Sequence, residues 1–369
     1  MSGAGWLVRG QVPGRDVSLR PVFSIGEKTY DVADVIVAAM VRGDWTALEE
    51  RVRQGLECLR HLEDTGEDHP DPEIEEAARE FRQTRNLLTA QETEDWLERA
   101  GLTFDEWADF IERSTLSGIH AATTDALSPE SAFDWDEIRQ KTYVEAVCSG
   151  DLERFAHLLA GRAAVCQRAI EEGRVETLGP PQAESTQASE ECATAVGSLL
   201  GIGMSPDAIA TRVSELSQLD ARFHAYTRDS VTAAAVRAQI EAHRVEWTRV
   251  DWHCLALSAE SIAREAVLCL REDGATLADV AAKARVPARE ETLLLESVDE
   301  AIRAALLASN PGDVLGPLPL PQGFRVALLV SKAPPAEDDG SVRRRAEEEV
   351  VANLVDREKR KRVRWHATF

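Results

Sequence analysis

The sequence predicts a mostly helical α+β protein whose clearest strands lie in one region near the C-terminus. Stretches rich in alanine, leucine and glutamate dominate, and aromatic residues make up only 5% of the chain. Helix-capping pairs such as Thr89 with Glu92 recur upstream of residue 250. A regular alternation of apolar and polar residues begins at Val250, which favours strands after that point.

Residues 1–30 form the first predicted segment, an N-terminal arm. Glycine and proline are frequent in it, and short alternating pieces such as 22–25 predict one or two small strands. The arm is therefore expected to be loosely structured.

Residues 31–140 form the second predicted segment, a helical module. Asp31 is expected to begin a helix, and Gly43 with Asp44 to separate it from the next. Thr103 with Glu106 repeats the capping pair of Thr89, in which a hydroxyl and a carboxylate accept from free N–H groups. This segment should contain short helices in close succession.

Residues 141–249 form the third predicted segment, a second helical module that repeats the first. The stretch 39–45 matches 146–152, and both contain a Gly-Asp pair followed by an apolar helix. Within this segment, 179–187 is rich in proline, glutamine and serine and is the best loop candidate of the chain.

Residues 250–332 form the fourth predicted segment, a small domain with the order β-α-α-β-α-β-β. Its first strand, 250–257, places valine, tryptophan and cysteine on one face and histidine and leucine on the other. Ser258 and Thr276 are the expected caps of the first two helices, and Ser297 with Glu300 is the expected capping box of the third. The later strands are predicted at 292–295, 314–320 and 324–331.

The order of elements, together with the Pro-Gly-Asp-Val-Leu-Gly-Pro segment at 311–317, resembles the parvulin domain of peptidyl-prolyl isomerases. That family has one histidine on the first strand and another in a Gly-aromatic-His sequence on the last. Here Cys254 stands at the first position, with His253 one residue away on the opposite face. Arg325 stands at the position of the second histidine. The resemblance therefore implies a degenerate parvulin domain.

This resemblance implies a pocket for a proline ring. Its predicted peptide-binding residues are Cys254, Leu306, Phe324, Arg325 and Leu328, and the candidate catalytic residues are His253 and Cys254. An arginine is always charged and has no acceptor, so it cannot replace a histidine. Isomerase activity is expected to be weak or absent, while peptide binding is expected to survive.

The capped helices around 81–90 and 101–107 resemble the helical modules of SurA-type and PrsA-type foldases, which stand beside a parvulin domain. That resemblance implies that the last segment, 341–369, returns as a helix and docks on the helical module through Val350, Leu354 and Trp365. The combination also resembles parvulin-related proteins of peptide maturation systems. A ribosomally made precursor peptide and a peptide-modifying enzyme would then be the partners.

Charge and cysteine usage exclude several functions. The 42 basic and 65 acidic residues give a net charge of −23, which repels nucleic acid and anionic membranes. No apolar run is long enough for a signal peptide or a membrane span, so we expect a cytoplasmic protein. The six cysteines form no Cys-x-x-Cys pair, and the eight histidines form no His-x-x-x-His pair. Neither a metal nor a cofactor is expected.

Three hypotheses follow. The first is a peptide-binding chaperone with a degenerate parvulin domain that holds unfolded or precursor peptides. The second is an active prolyl isomerase whose rearranged site uses Cys254 and His253. The third is a helical scaffold that recognises a folded protein partner and has no affinity for unfolded peptides.

Overall fold

The computed structural model describes residues 19–66, 70–124, 135–174 and 205–366. The chain separates into two compact units. Met1–Arg228 with Leu354–Phe369 is named the helical unit, and Asp229–Asn353 is named the sheet unit. The protein is mostly helical and belongs to the α+β class, as predicted. The finer division into five segments stays a prediction, and the loop expected at 179–187 lies outside the described residues.

The helical unit is built from helices that begin at the expected capping residues. The Thr89 hydroxyl accepts from the Glu92 N–H at 3.2 Å, and the Glu92 carboxylate accepts from the Thr89 N–H at 2.8 Å. The same reciprocal pair joins Thr103 and Glu106. Both capping predictions are confirmed. The helices are α1 (Val32–Val41), α2 (Asp44–Thr65), α3 (Asp71–Thr84), α4 (Ala90–Ala100), α5 (Phe104–Thr124), α6 (Trp135–Cys148), α7 (Asp151–Glu171) and α8 (Pro206–Ser230).

The two matched Gly-Asp pairs share one local structure. Gly43 precedes α2 with a φ of 79°, and Gly150 precedes α7 with a φ of 83°. A side chain would be strained in this left-handed region, so glycine suits both positions. Duplication of the whole module stays a prediction.

The N-terminal strands belong to a three-stranded antiparallel sheet. Its strands are β1 (Pro21–Ile25), β2 (Lys28–Asp31) and β7 (Val363–Trp365), with β1 in the centre. Phe23 lies opposite Trp365, and the two rings are 5.5 Å apart. Sequence analysis did not predict β7, because its partner lies at the other end of the chain.

Two residues at the C-terminal end of the last helix, α13 (Gly340–Arg362), pack in the helical unit. The Val355 side chain fills the space above Gly161 of α7, where an added Cβ would lie 2.6 Å from it. Glu358 is buried and accepts hydrogen bonds from Arg168 and Arg362.

The sheet unit contains a four-stranded antiparallel sheet in the order β4-β3-β6-β5. Its strands are β3 (Arg249–Leu257), β4 (Arg289–Leu294), β5 (Val314–Leu320) and β6 (Gly323–Ala333). The helices of this unit are α9 (Ala233–Ala242), α10 (Glu260–Arg271), α11 (Leu277–Ala284) and α12 (Glu300–Ala308), with the start of α13. From β3 to β6 the order is the predicted β-α-α-β-α-β-β.

Each face of the four-stranded sheet is covered by helices. Val250, Trp252 and Cys254 pack with Ile302 and Leu306 of α12, and this side is named the α12 face. Leu255 and Leu257 pack with α10 and α11, and this side is named the α10–α11 face. The predicted alternation along β3 is confirmed, because neighbouring strand residues point to opposite faces.

Two predicted helix caps were wrong. Helix α10 has Ala259 at its N-cap rather than Ser258. Helix α12 is capped by Asp299, whose carboxylate accepts from the Ile302 N–H at 2.9 Å. Ser297 instead lies in a 3-10 turn, where its hydroxyl donates to the Leu294 carbonyl. Serine and aspartate are both suitable N-cap residues. A sequence pattern does not locate the end of a helix to within one or two residues.

Candidate functional site

The predicted site residues lie on both faces of the four-stranded sheet. Cys254 is 2% exposed and packs beside Leu306 in the core of the α12 face. Phe324 packs against the core of the α10–α11 face. The strand alternation places His253 and Leu328, which are paired across β3 and β6, on the same side as Phe324. A single pocket built from all six residues is therefore wrong.

Arg325 joins a polar cluster on the α12 face. Its Nη1 lies 3.3 Å from Oε2 of Glu291, and its guanidinium lies 5.1 Å from the centre of the Trp252 ring. The Trp252 indole N–H donates to the same Glu291 oxygen at 3.1 Å. An arginine side chain that contacts both a carboxylate and an aromatic ring has few other rotamers available to it. Arg325 is consequently positioned by this chain rather than left free for a ligand.

The Cys254 thiol lies beside this cluster and is protonated at neutral pH. Burial raises its pKa most, the Glu291 carboxylate raises it further, and Arg325 lowers it in part. The resulting pKa is about 11. Since the thiolate is the nucleophilic form, Cys254 is poorly suited to catalysis.

His253 lies on the other side of the sheet, where it is half exposed. Its Nε2 is 3.5 Å from the Glu290 carboxylate on the neighbouring strand. Adjacent residues of one strand cannot reach the same ligand atom from opposite faces. The structure therefore contradicts a catalytic site shared by Cys254 and His253.

Strand β4 is an edge of the sheet and presents unpaired backbone groups. It pairs only with β3 in the described sheet, and most of its residues are exposed or half exposed. The opposite edge, β5, contains Pro317 and Pro319, which have no N–H to donate. Strand β4 contains no proline, so an extended peptide has a hydrogen-bonding edge there.

A groove of about 690 Å³ lies at the C-terminal end of β4. Leu294 and Arg249 contribute its strand side, and Arg344 with Arg345 of α13 contributes the helix side. The volume falls in the range of pockets that hold drug-sized ligands, about 300–1,000 Å³. The segment 333–336, which contains Pro334 and Pro335, forms a further part of the wall.

Packing within the sheet unit holds the groove open. Trp247 is 3% exposed and packs with Val342 and Ala346, which fixes the start of α13. Arg345 pairs with Glu296 and lies 5.5 Å from the centre of the Trp247 ring. The groove wall is thus built from residues that are themselves fixed by neighbours.

The charges that line the groove are mixed. Arg249 lies 3.9 Å from Asp339, and both are partly exposed. Arg344 is exposed, with no ion pair to another of the described residues. The lining combines apolar residues with charged residues of both signs, which suits a peptide, since a peptide carries apolar side chains, charged side chains and backbone dipoles.

Among the described residues, no group of three or more histidine, cysteine, aspartate or glutamate side chains could hold a metal ion. None of the described helices is both long and apolar enough to span a membrane.

Comparisons with known proteins give only distant similarity. No protein family model and no curated protein matches this chain. The crystal structure of PrsA from Bacillus subtilis aligns with 57% of this chain and 87% of its own, at 14% identity and a TM-score of 0.20. A second structure concerns PEB4 and Cj1289, which are described as SurA-like chaperones of Campylobacter jejuni. It aligns with 66% of this chain and 86% of its own, at 13% identity and a TM-score of 0.22. Similarity at this level does not assign a function.

The sequence does not predict the groove. It also does not indicate that Trp252 and Glu291 belong to the polar cluster. The alternation of β3 already placed Trp252 on the face of Cys254. Glu291 could not be found this way, because β4 was predicted at 292–295 and actually begins at Arg289. The proline pair at 334–335 also lines the groove, although it carries no site pattern in the sequence.

Proposed function

We propose that this protein is a peptide-binding chaperone that holds an extended segment along β4 and in the adjoining groove. The observation that carries the proposal is the position of the groove at the end of β4, a proline-free edge strand that pairs on one side only in the described sheet. Backbone hydrogen bonds to β4 would supply affinity for any extended sequence, and the groove would select side chains. We further propose an unfolded or precursor peptide as the client, in the cytoplasm, delivered to a peptide-modifying enzyme.

The degenerate site supports binding without efficient isomerisation. Prolyl isomerisation must lower a barrier of about 18–20 kcal/mol by favouring the twisted amide. The positions that resemble the two parvulin histidines hold a buried thiol, Cys254, and an ion-paired guanidinium, Arg325. Neither exchanges a proton at neutral pH, so the active isomerase is the weaker candidate.

The test is fluorescence anisotropy with a panel of labelled extended peptides, with and without proline, on the full chain. A protease-coupled isomerase assay is run on the same sample. We expect saturable binding at micromolar concentration and no rate enhancement. Rate enhancement would restore the enzyme hypothesis, and the absence of both signals would favour the scaffold that recognises a folded partner.

A second experiment separates strand addition from other binding modes. In an extended peptide, the N–H groups of alternate residues lie on the same edge. Peptides with N-methyl groups on alternate residues keep their side chains but have no backbone N–H to donate on that edge. We expect one of the two alternately methylated peptides to bind at least about tenfold more weakly, because several backbone hydrogen bonds are lost. Equal affinity of both methylated peptides and the parent would contradict binding along β4.

A further inference from the structure

The helical unit contains a second cavity whose chemistry the proposed function does not use. It lies between α7, α8 and the β1–β2 hairpin and has a volume of about 70 Å³. Cys166, Gln167 and Ile170 line it from α7, and Leu219 and Arg222 line it from α8. Cys166 and Ile170 are about one helical turn apart, as are Leu219 and Arg222, so each helix presents one stripe to the cavity.

The Arg222 guanidinium is the unusual group of this cavity. Its Nη1 is buried and has no hydrogen-bond partner among the residues that the structure describes. A buried guanidinium N–H without an acceptor is costly, so such atoms are normally paired. An arginine in this state indicates an acceptor that the protein itself does not supply.

Nearby carboxylates are already paired with other cations. The Lys28 ammonium holds Glu215 at 2.9 Å. Arg212 holds Asp31 at 2.7 Å and Asp34 at 2.8 Å. Arg222 has no ion pair within the part of the chain that the structure describes.

Tyr30 supplies a further donor on the opposite wall. Its side chain is 5% exposed, and burial together with the nearby Asp34 carboxylate raises the pKa of its phenol. The hydroxyl consequently keeps its proton at neutral pH and can donate it to an anion. The Cys166 thiol is not available for this, because it donates to the Leu219 carbonyl at 3.3 Å.

Size and lining narrow the class of ligand. The cavity has room for about five water-sized groups. Ile25, Ile170 and Leu219 make much of its wall apolar, which suits a short alkyl group and opposes a doubly charged, strongly hydrated anion. A planar carboxylate also matches the fork of a guanidinium.

We propose that this cavity binds a small monocarboxylic acid, with its carboxylate on Arg222 and Tyr30 and its alkyl group against Ile25, Ile170 and Leu219. The lining residues of this cavity belong to the helical unit and those of the groove to the sheet unit, so the two sites share no residue.

The test uses fluorine NMR of trifluoroacetate with the full chain in a chloride-free buffer, followed by displacement with propionate. We expect saturable line broadening, displacement by propionate in the millimolar range, and weaker displacement by inorganic phosphate. The absence of saturable broadening would overturn the proposal. Tighter binding of phosphate than of propionate would overturn the assignment to monocarboxylic acids.

Variants locate the site. Arg222→Gln is expected to weaken propionate binding at least about tenfold, because a charge-assisted pair of hydrogen bonds is lost. Arg222→Lys should retain part of the affinity, and Arg228→Gln, an exposed arginine of the same helix, should bind like the wild type. Unchanged binding by Arg222→Gln would overturn the proposal.

A third variant tests the cavity if Arg222→Gln fails to fold. Ala163→Val adds two methyl groups to the cavity wall and leaves Arg222 in place. It is expected to exclude propionate while the far-UV circular dichroism stays unchanged. Wild-type affinity in this variant would show that the acid binds elsewhere.

Discussion

Arg325 and Glu291 form an ion pair on the α12 face of the sheet, with Nη1 and Oε2 3.3 Å apart. Glu291 also accepts from Trp252, so one carboxylate connects β3, β4 and β6. The pair lies beside the Cys254 thiol, where Glu291 adds to the effect of burial in raising the thiol pKa and Arg325 opposes it in part. Burial and the pair together keep this thiol protonated at neutral pH.

Cys254 is expected to resist alkylation in the folded protein. Its pKa of about 11 and its burial leave almost no thiolate near neutral pH. Iodoacetamide labelling followed by peptide mass spectrometry should show the half-buried Cys269 modified well before Cys254. In Arg325→Gln the thiol pKa should rise further, because Arg325 lowers it. Rapid labelling of Cys254 in the native wild type would contradict this account.

Arg344→Gln is expected to weaken peptide binding by roughly threefold to tenfold, as expected for one charge-assisted contact at an exposed wall. Arg343→Gln is the matched control, because Arg343 is the preceding residue of α13, pairs with Glu347 and does not line the groove. Anisotropy titrations of both variants check the prediction. An equal loss in the two would indicate a general effect of charge on α13.

Gly323→Ala is expected to destabilise the sheet unit by about 1–3 kcal/mol. Gly323 has a φ of 107°, and an added Cβ would lie 2.3 Å from the Leu257 carbonyl oxygen. Both the backbone conformation and the close approach require glycine. Urea unfolding measures the change in free energy.

Gly340→Ala is the control for that substitution. A Cβ at Gly340 meets no atom within 4 Å, and the residue begins α13. The variant should match or slightly exceed wild-type stability. Similar destabilisation by both substitutions would contradict the special role of Gly323.

Glu358→Gln is expected to destabilise the helical unit by about 3 kcal/mol at neutral pH, because it removes the buried negative charge and places an NH2 donor where one oxygen accepts from an arginine. Burial opposes the Glu358 charge, but hydrogen bonds from Arg168, Arg362 and Arg357 outweigh it and lower the pKa to about 2. A lowered pKa stabilises the folded state above the ordinary pKa of 4.5, and this contribution is lost as the pH falls towards 2.

Acid titrations of unfolding free energy test the Glu358 prediction. The wild type should lose stability between about pH 5 and pH 2, and Glu358→Gln should lose less over the same range. Glu80→Gln, an exposed carboxylate of α3, is the control and should follow the wild type. Parallel curves for the wild type and Glu358→Gln would show that Glu358 is not the group responsible.

Local patterns were sufficient for most of the elements named in the sequence analysis, but not for β7. Asp31 and Thr276 cap helices as expected, and Val250, Trp252 and Cys254 share a face. These features depend on residues within one or two turns or on the period of a strand, so the sequence determines them directly. The cap of α12 was misplaced because Asp299 suits an N-cap as well as Ser297 does. The N-cap of α10 lies one residue after Ser258, a shift that a sequence pattern does not distinguish.

Only the tertiary structure decided which side chains meet. The site predicted from the resemblance divides between two faces, and Glu291 reaches Arg325 through the register of three strands. His366 contacts Ser24 across 342 positions of the chain. The groove beside β4 and the cavity around Arg222 each combine distant segments. Their geometry depends on long-range packing, whereas periodicity and capping report only on neighbours along the chain.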